Sequence, residues 1–478
     1  MAEVLKPDLC IIGAGAAGRA AATIARRHGA DVVLIDTGVE TGDSLAAGAL
    51  PAAALAAAAA RAQSMRTASQ FGITNDEPRP SFRAVHDHVQ WAIAAIAPGE
   101  GVEQLRAQGI VVIEGPAVFV DSRTLKAGDI PIRARRFVLA TGSQPHIPSI
   151  PGLDQVPSFT VDSIFANTHK LSHLVIIGGG SIALSLAQSH RRLGAMVTLL
   201  ATGPLLPDFD PELVEVALRR LREEGVAIYA DVEKIAIQPR SQGIGVTAQV
   251  GPGTESLDAS HILIADGRQP NLDGLGLDAA GIRRDHITPQ RLALGKTLTT
   301  SNRRVLAIGD AAWPDQSPQS ARQQAARAVE HALFGQKARF DVAALPRLVA
   351  VDPEIVEIGL TELEARRRRK ADYRVLRASF AENGRAIVSR QTLGTVKLMT
   401  DAKGVILGAA LLGPGAGELS ALFALALRQR IAVADLAELD LPEPSFATVV
   451  TRLGQIWRDA AKPDPWRQRL LALNRILP

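Results

Sequence analysis

The chain has 478 residues, enough for two to four domains, and 47% are hydrophobic and 21% charged, as in a globular protein with a large core. The formal net charge of +4 is dispersed and aromatic residues make up only 4%, which does not support a nucleic-acid-binding surface. There is no apolar run of about 18 residues, so no membrane span is expected, and the start MAEVLKPD lacks a signal-peptide pattern, so a cytoplasmic location is expected.

In chain order, a short apolar strand ends at Ile12 and the run GAGAAG follows. Gly13 allows a tight turn, Gly15 lets backbone approach a pyrophosphate, Gly18 lets helix and strand pack closely, and a helical pattern, RAAATIARRHGA, follows. A second strand, DVVLID, ends at Asp36, which is placed to accept hydrogen bonds from an adenosine ribose. Strand, glycine turn, helix, strand and acid in this order predict a dinucleotide site, with phosphates at the helix N-terminus. The one cysteine, Cys10, excludes an intramolecular disulfide, and its setting LCII makes it a small buried side chain rather than a nucleophile.

Residues 41–53 read TGDSLAAGALPAA, and the alanine-rich run 52–60 predicts a long helix. His86 and His88 are read on a solvated helix face, and no His/Cys cluster suggests a metal. The run FVLATGSQP ends a strand at Ala140, Thr141 and Gly142. A second strand–turn–helix–strand pattern begins at His173, with Gly178 and Gly180 in the turn, Ser181 after it and Ala183 at the third glycine position. Its second strand ends at Ala201, which offers neither an acid for a ribose hydroxyl nor a cation for a 2′-phosphate. Arg191 and Arg192 are the nearby alternatives. ADGRQPN then carries Asp266, Gly267 and Arg268, and RVLAIGDAA carries Asp310 and Ala311. DPEIVEIGLTELEA and the basic run at 366–370, read as a solvated helix end, precede two apolar alternating strands around a turn at 401–404. A helix with Glu418 follows, and LPEPSFATVV carries Glu443, Pro444 and Thr448.

From residue 8 to residue 460, these segments in this order resemble the pyridine nucleotide-disulfide oxidoreductase family, that of lipoamide dehydrogenase and mercuric reductase. The resemblance implies an α/β fold: two Rossmann-like dinucleotide-binding domains, for FAD (1–165 and 275–335) and NAD(P) (166–274), and a C-terminal α+β dimerisation domain (340–478). It assigns Gly13, Gly15, Ala16, Gly18, Asp36, Ser44, Thr141, Gly142, Asp310 and Ala311 to FAD. Gly178, Gly180, Ser181, Ala201, Asp266 and Gly267 go to NAD(P)H. It implies a homodimer in which Glu443 stands at the partner's flavin site, where it is a candidate to handle a proton.

The departures from the family pattern concern its chemistry. Ser44 and Ala49 occupy the positions of the redox-active cysteine pair, and Ala53 that of the following lysine. Ser185 stands where that lysine's glutamate partner belongs. Glu443 and Thr448 replace the histidine and glutamate of the acid–base dyad. Neither serine nor alanine forms a disulfide, so dithiol exchange is not available. The expected function is a FAD-dependent oxidoreductase passing electrons from NAD(P)H to a non-disulfide acceptor, either a small molecule or a protein. A flavin-binding pseudoenzyme or complex subunit remains open, as does FAD-dependent oxidation of a small substrate without NAD(P)H.

Overall fold

Four apolar residues form β1 (Leu9–Ile12), and all four side chains are fully buried. A strand covered on both faces needs such an unbroken run rather than alternation. In α1 (Ala16–Arg27) the buried face is Ala17, Gly18, Ala21, Ala22 and Ala25, small side chains that let the helix lie close to its neighbours. The computed structural model describes residues 3–38, 48–96, 102–313, 317–336, 345–369, 372–460 and 465–475.

After β2 (Val32–Asp36), the helices α2 (Ala49–Arg66), α3 (Phe82–Ile96) and α4 (Val102–Ala107) lead to β3 (Val111–Glu114). A small antiparallel sheet of β4 (Ala117–Phe119), β5 (Leu125–Ala127) and β6 (Ile130–Ile132) precedes β7 (Arg136–Leu139) and β8 (Ser143–Pro145). Then come β9 (Ser158–Thr160), β10 (His173–Ile177), α5 (Ser181–Arg192), β11 (Met196–Leu200), α6 (Pro211–Glu223) and β12 (Val226–Tyr229). A second antiparallel sheet, β13 (Lys234–Pro239), β14 (Ile244–Val250) and β15 (Gly253–Ala259), is followed by β16 (His261–Ile264), β17 (Arg268–Pro270), β18 (Val305–Ala307) and α7 (Pro318–Phe334).

Two parallel five-stranded sheets result, ordered β18-β7-β1-β2-β3 and β12-β11-β10-β16-β9. In the first, Leu9 pairs with Val32 on one side and Arg136 on the other; in the second, Val175 pairs with Thr198 and Ile262. In each, strand order changes direction at the central strand, β1 or β10. The ends of those strands are where such folds bind nucleotides. Both sheets belong to one compact unit, Met1–Leu205 with Arg222–Asp341.

The other unit is Leu206–Leu221 with Val342–Pro478. Its C-terminal part runs β19 (Arg347–Val349), β20 (Glu354–Gly359), α8 (Glu362–Arg369), β21 (Tyr373–Ser379), α9 (Gly384–Val388), β22 (Thr395–Asp401), β23 (Ile406–Gly413), α10 (Ala416–Gln429), α11 (Thr448–Asp459) and α12 (Pro465–Asn474). The antiparallel sheet is ordered β19-β20-β23-β22-β21. The strand pair expected around 401–404 is β22 and β23, but both are buried almost without interruption instead of alternating. One face carries the core of Val356, Leu411, Phe423 and Leu453, and the other is covered as well.

That second cover includes a buried ionic cluster. The Lys397 ammonium lies 2.6 Å from Asp210, 2.7 Å from Glu362 and 2.9 Å from Glu212. Burial pushes its pKa down, but these hydrogen bonds outweigh that and hold it above the ordinary lysine value. No helix among the described residues is long and apolar enough to cross a membrane.

Candidate cofactor and catalytic site

At the end of β1, Gly13 has φ +107° and its N–H donates to the Ile35 carbonyl at 2.8 Å. A Cβ there would lie 2.3 Å from the Ala140 oxygen, and one on Gly18 would lie 1.9 Å from the Gly13 oxygen. The turn therefore requires glycine at both positions. Gly15 is the N-cap of α1 and supplies no side-chain cap, so the first N–H groups of α1 face the turn without a side-chain acceptor. Asp36 ends β2, and its carboxylate accepts the Gly38 N–H at 3.1 Å. Thr141 is buried, and its hydroxyl has no partner among the described residues. Uncapped helix N–H groups, an orphaned buried hydroxyl and a turn closed against any Cβ together fit the phosphates and sugar of a dinucleotide.

Asp310 is tied into a network that reaches across the unit. Its carboxylate accepts the Ser143 hydroxyl at 2.6 Å. Arg268 donates to the Ser143 hydroxyl at 2.7 Å and to the Ser143 carbonyl at 2.9 Å, and pairs with Asp162 at 2.6 Å. Asn271 donates to the Thr141 carbonyl at 3.0 Å. The antiparallel pairing of β8 with β17 brings these groups together, with Pro270 opposite Ser143. Gly309, at φ +60°, donates its N–H to the buried Gln324 at 2.7 Å, and Ala311 is fully buried behind Asp310. Sequence reasoning quoted ATGS and GRQPN as separate segments. Ser143 as the holder of Asp310 escaped it, since only the pairing of β8 with β17 reveals it.

The second turn repeats the first with one gap. Gly178 has φ +138°, and a Cβ there would lie 2.1 Å from the Ala265 oxygen. Gly180 caps α5 without a side chain, and the space beside it is open. Ser181 begins α5 and its carbonyl accepts the Ser185 hydroxyl at 2.9 Å, so Ser185 is satisfied within its own helix. Ala201 is buried at the end of β11 and presents no polar side chain. Arg192 is buried and paired with Glu224 at 2.7 Å, while Arg191 donates to the Glu224 carbonyl at 2.8 Å. Both arginines are thereby engaged away from a cofactor-reading role. Asp266 pairs with His146 at 3.2 Å, and Gly267 has φ +83°.

Ser44 lies outside the described residues. Ala49 is the first residue of α2, and Ala53, one turn on, is exposed. α2 is the long helix that the alanine-rich run predicts, and it buries Pro51, Ala54, Leu55, Ala59 and Ala62 on one face. The only thiol, on Cys10, is fully buried in β1, and burial pushes its pKa far above the ordinary value. A thiol held protonated in a sheet core is neither a nucleophile nor an exchange partner.

In the second unit, Glu443 is exposed and precedes Pro444 through a cis peptide bond. The loop is held by the buried Asn383, whose amide donates to the carbonyls of Ser445 and Phe446 and to the Thr448 hydroxyl. Thr448 thus has a structural role, and Asn383 is a holder that sequence did not suggest. His86 and His88 lie half-buried on α3, and His88 stacks with Trp91.

The family model for pyridine nucleotide-disulphide oxidoreductase matches residues 7–332, and that of the family's dimerisation domain matches residues 345–453. The mercuric reductase of Streptomyces lividans is 31% identical over 465 residues, covering 95% of this chain and 97% of the relative. The dihydrolipoyl dehydrogenase of Geobacillus stearothermophilus is 28% identical over 460 residues, covering 95% and 96%. The crystal structure of LpdA from Mycobacterium tuberculosis shares the fold with a TM-score of 0.83 at 24% identity, covering 96% of this chain and all of that one. Two glycine turns on two parallel sheets, a dimerisation-type domain and these matches lead to one conclusion. The chain belongs to the pyridine nucleotide-disulphide oxidoreductase family, which is FAD-dependent and uses NAD(P)H, and carries one cysteine where the family's exchange chemistry needs two.

Proposed function

We propose that this protein transfers electrons from NAD(P)H, through bound FAD, to an acceptor that is not a disulfide. The observation that carries the reading is the buried Cys10 as sole thiol, with alanine at 49 and 53 on α2. FAD supplies hydride acceptance and electron release, chemistry that no side chain provides.

The residues around it bind and orient. The Gly13–Gly15–Gly18 turn and the N-terminus of α1 hold the pyrophosphate, Asp36 takes the adenosine ribose, and the Thr141 hydroxyl and Gly142 lie along the cofactor. Asp310 takes the ribityl chain, and Ser143 and Arg268 fix its carboxylate. FAD falls to residues 1–165 and 275–335, and NAD(P)H to residues 166–274 through Gly178, Gly180, Ser181 and the Asp266–Gly267 turn. In a homodimer formed by the C-terminal domain, Glu443 supplies a proton at the other chain's flavin site.

The acceptor is a small molecule or a protein. Anaerobic addition of NADH, then NADPH, to the purified yellow protein should bleach the visible flavin absorbance, and an acceptor panel without disulfides should restore it. Persistent colour with both nucleotides would overturn the reading. It would favour a second one, FAD-dependent oxidation of a bound small substrate, for which the apolar Ala201 speaks.

A further inference from the structure

Beside the second glycine turn stands a carboxylate that the end of β11 does not offer. Asp266 follows β16 at the carboxyl end of the sheet, just after Ala265, whose N–H donates to the Ile177 carbonyl at 2.8 Å. A Cβ on Gly178 would lie 3.0 Å from the Asp266 nitrogen, so Asp266 abuts the turn itself. Nδ1 of His146 lies 3.2 Å from the Asp266 carboxylate, and the His146 backbone N–H donates to the Gly267 carbonyl at 3.0 Å. A carboxylate only accepts, so the ring holds it through an Nδ1–H. The Asp266 side chain stays 31% exposed, which leaves acceptor capacity for a ligand.

Topology decides which part of a dinucleotide meets it. The chain passes from β10 through the turn and α5 to β11, while β16 pairs on the other side of β10. In such a fold the pyrophosphate sits at the turn and the adenosine ribose at the end of the strand after the helix, here Ala201. The second nucleotide therefore extends past the turn toward β16. We propose that Asp266 accepts hydrogen bonds from the hydroxyls of the nicotinamide ribose and that His146 is the positioning residue that fixes its carboxylate. This rests on the reading of residues 166–274 as the NAD(P)H site. The nicotinamide ribose is identical in NADH and NADPH, because the 2′-phosphate belongs to the adenosine half. Asp266 therefore supplies affinity without selecting between the two nucleotides. Selection is equally lacking on the adenosine side, where Ala201 is apolar and Arg191 and Arg192 are engaged with Glu224.

Equilibrium titration of the oxidised, FAD-loaded protein with NAD⁺, NADP⁺, ADP-ribose and ADP tests this without turnover. Bound FAD keeps ADP from the first turn. Asp266→Ala should raise the Kd of NAD⁺, NADP⁺ and ADP-ribose about tenfold and leave that of ADP, which lacks the second ribose, unchanged. Asp266→Asn, which keeps an acceptor without the charge, should fall between. His146→Ala should weaken the same ligands by a smaller factor, and His146→Asn, whose amide can replace the Nδ1–H, should restore them. Unchanged or tighter NAD⁺ binding in either alanine variant overturns the proposal. So does an equal loss for ADP, which would make the pair a structural support of the turn. A wild type that binds none of these nucleotides overturns the NAD(P)H reading and this inference with it.

Discussion

His190 lies in α5 with 3% of its surface exposed, and neither ring nitrogen has a partner among the described residues. Burial lowers its pKa from 6.5 to about 4. The unfolded chain therefore takes up this proton first as pH falls, and stability is lost progressively below the unfolded value of 6.5, down to the folded one. At about pH 5 the loss is about 2 kcal/mol. His190→Leu, close in volume and without polar atoms, should remove that slope. Denaturant unfolding of both proteins near neutral pH and near pH 5 checks it, and parallel losses would place the slope elsewhere. Thr141 is the second buried orphan, and here the two effects of a substitution oppose each other. Thr141→Val should leave the apoprotein at least as stable, because it removes an unsatisfied hydroxyl. It should also weaken FAD binding about tenfold if, as proposed, the cofactor supplies the partner that the hydroxyl lacks. Flavin titration of the apoprotein measures the second effect, and unchanged affinity would remove Thr141 from the cofactor contacts. Ala201→Glu, at the end of β11, should shift nucleotide preference toward NADH by adding an acceptor for the ribose hydroxyls. Equal reduction rates with NADH and NADPH in that variant would show that the strand end does not face the ribose.

At the scale of elements, the ionic cluster on β20 and β22 carries an opposite pH dependence. Glu357 on β20 is buried, which raises its pKa to about 7 against the pull of the Arg347 guanidinium 2.7 Å away. Its carboxylate also accepts the Asp210 N–H. A carboxyl with a raised folded-state pKa contributes stability below its unfolded value of 4.5 and loses it as pH rises through about 7. Glu357→Gln should flatten that fall and leave the C-terminal unit more stable than wild type above neutrality by about 2 kcal/mol. Hydrogen exchange read separately for β20–β23 and for β10–α5 should then give opposite slopes between about pH 5 and 6.5 in the wild type. The two glycine turns were legible because strand, turn, helix and strand are contiguous and Gly13, Gly18 and Gly178 answer to local steric demands. The fixing of Asp310 was not, since Ser143 and Arg268 are 125 residues apart and meet only through the pairing of β8 with β17. The Lys397 cluster was hidden for the same reason: Asp210 is 187 residues from its partner. β22 and β23 were located correctly, but their burial was misread because cover on the second face comes from distant segments.

For the molecule as a whole, the absence of a second thiol and the proposed dimer make one joint prediction about turnover. Without a thiolate beside oxidised flavin, the long-wavelength charge-transfer band that such a pair produces should not develop on reduction, and dihydrolipoamide should not be oxidised. Proton delivery must then come from a group other than a cysteine-linked histidine. Glu443, which the resemblance to the family pattern sets at its histidine position, is exposed on a loop pinned by Asn383. In the proposed dimer Glu443 of each chain would stand at the other's flavin site and could protonate a reduced acceptor. Glu443→Gln keeps shape and polarity but cannot exchange a proton. It should leave FAD content and dimer mass unchanged and slow acceptor reduction with little effect on flavin reduction by nucleotide. Stopped-flow measurement of the two half-reactions separates these effects. An unaltered acceptor half-reaction across pH would reduce Glu443 to a surface carboxylate, and a monomer in solution would remove the geometry by which it reaches a flavin at all.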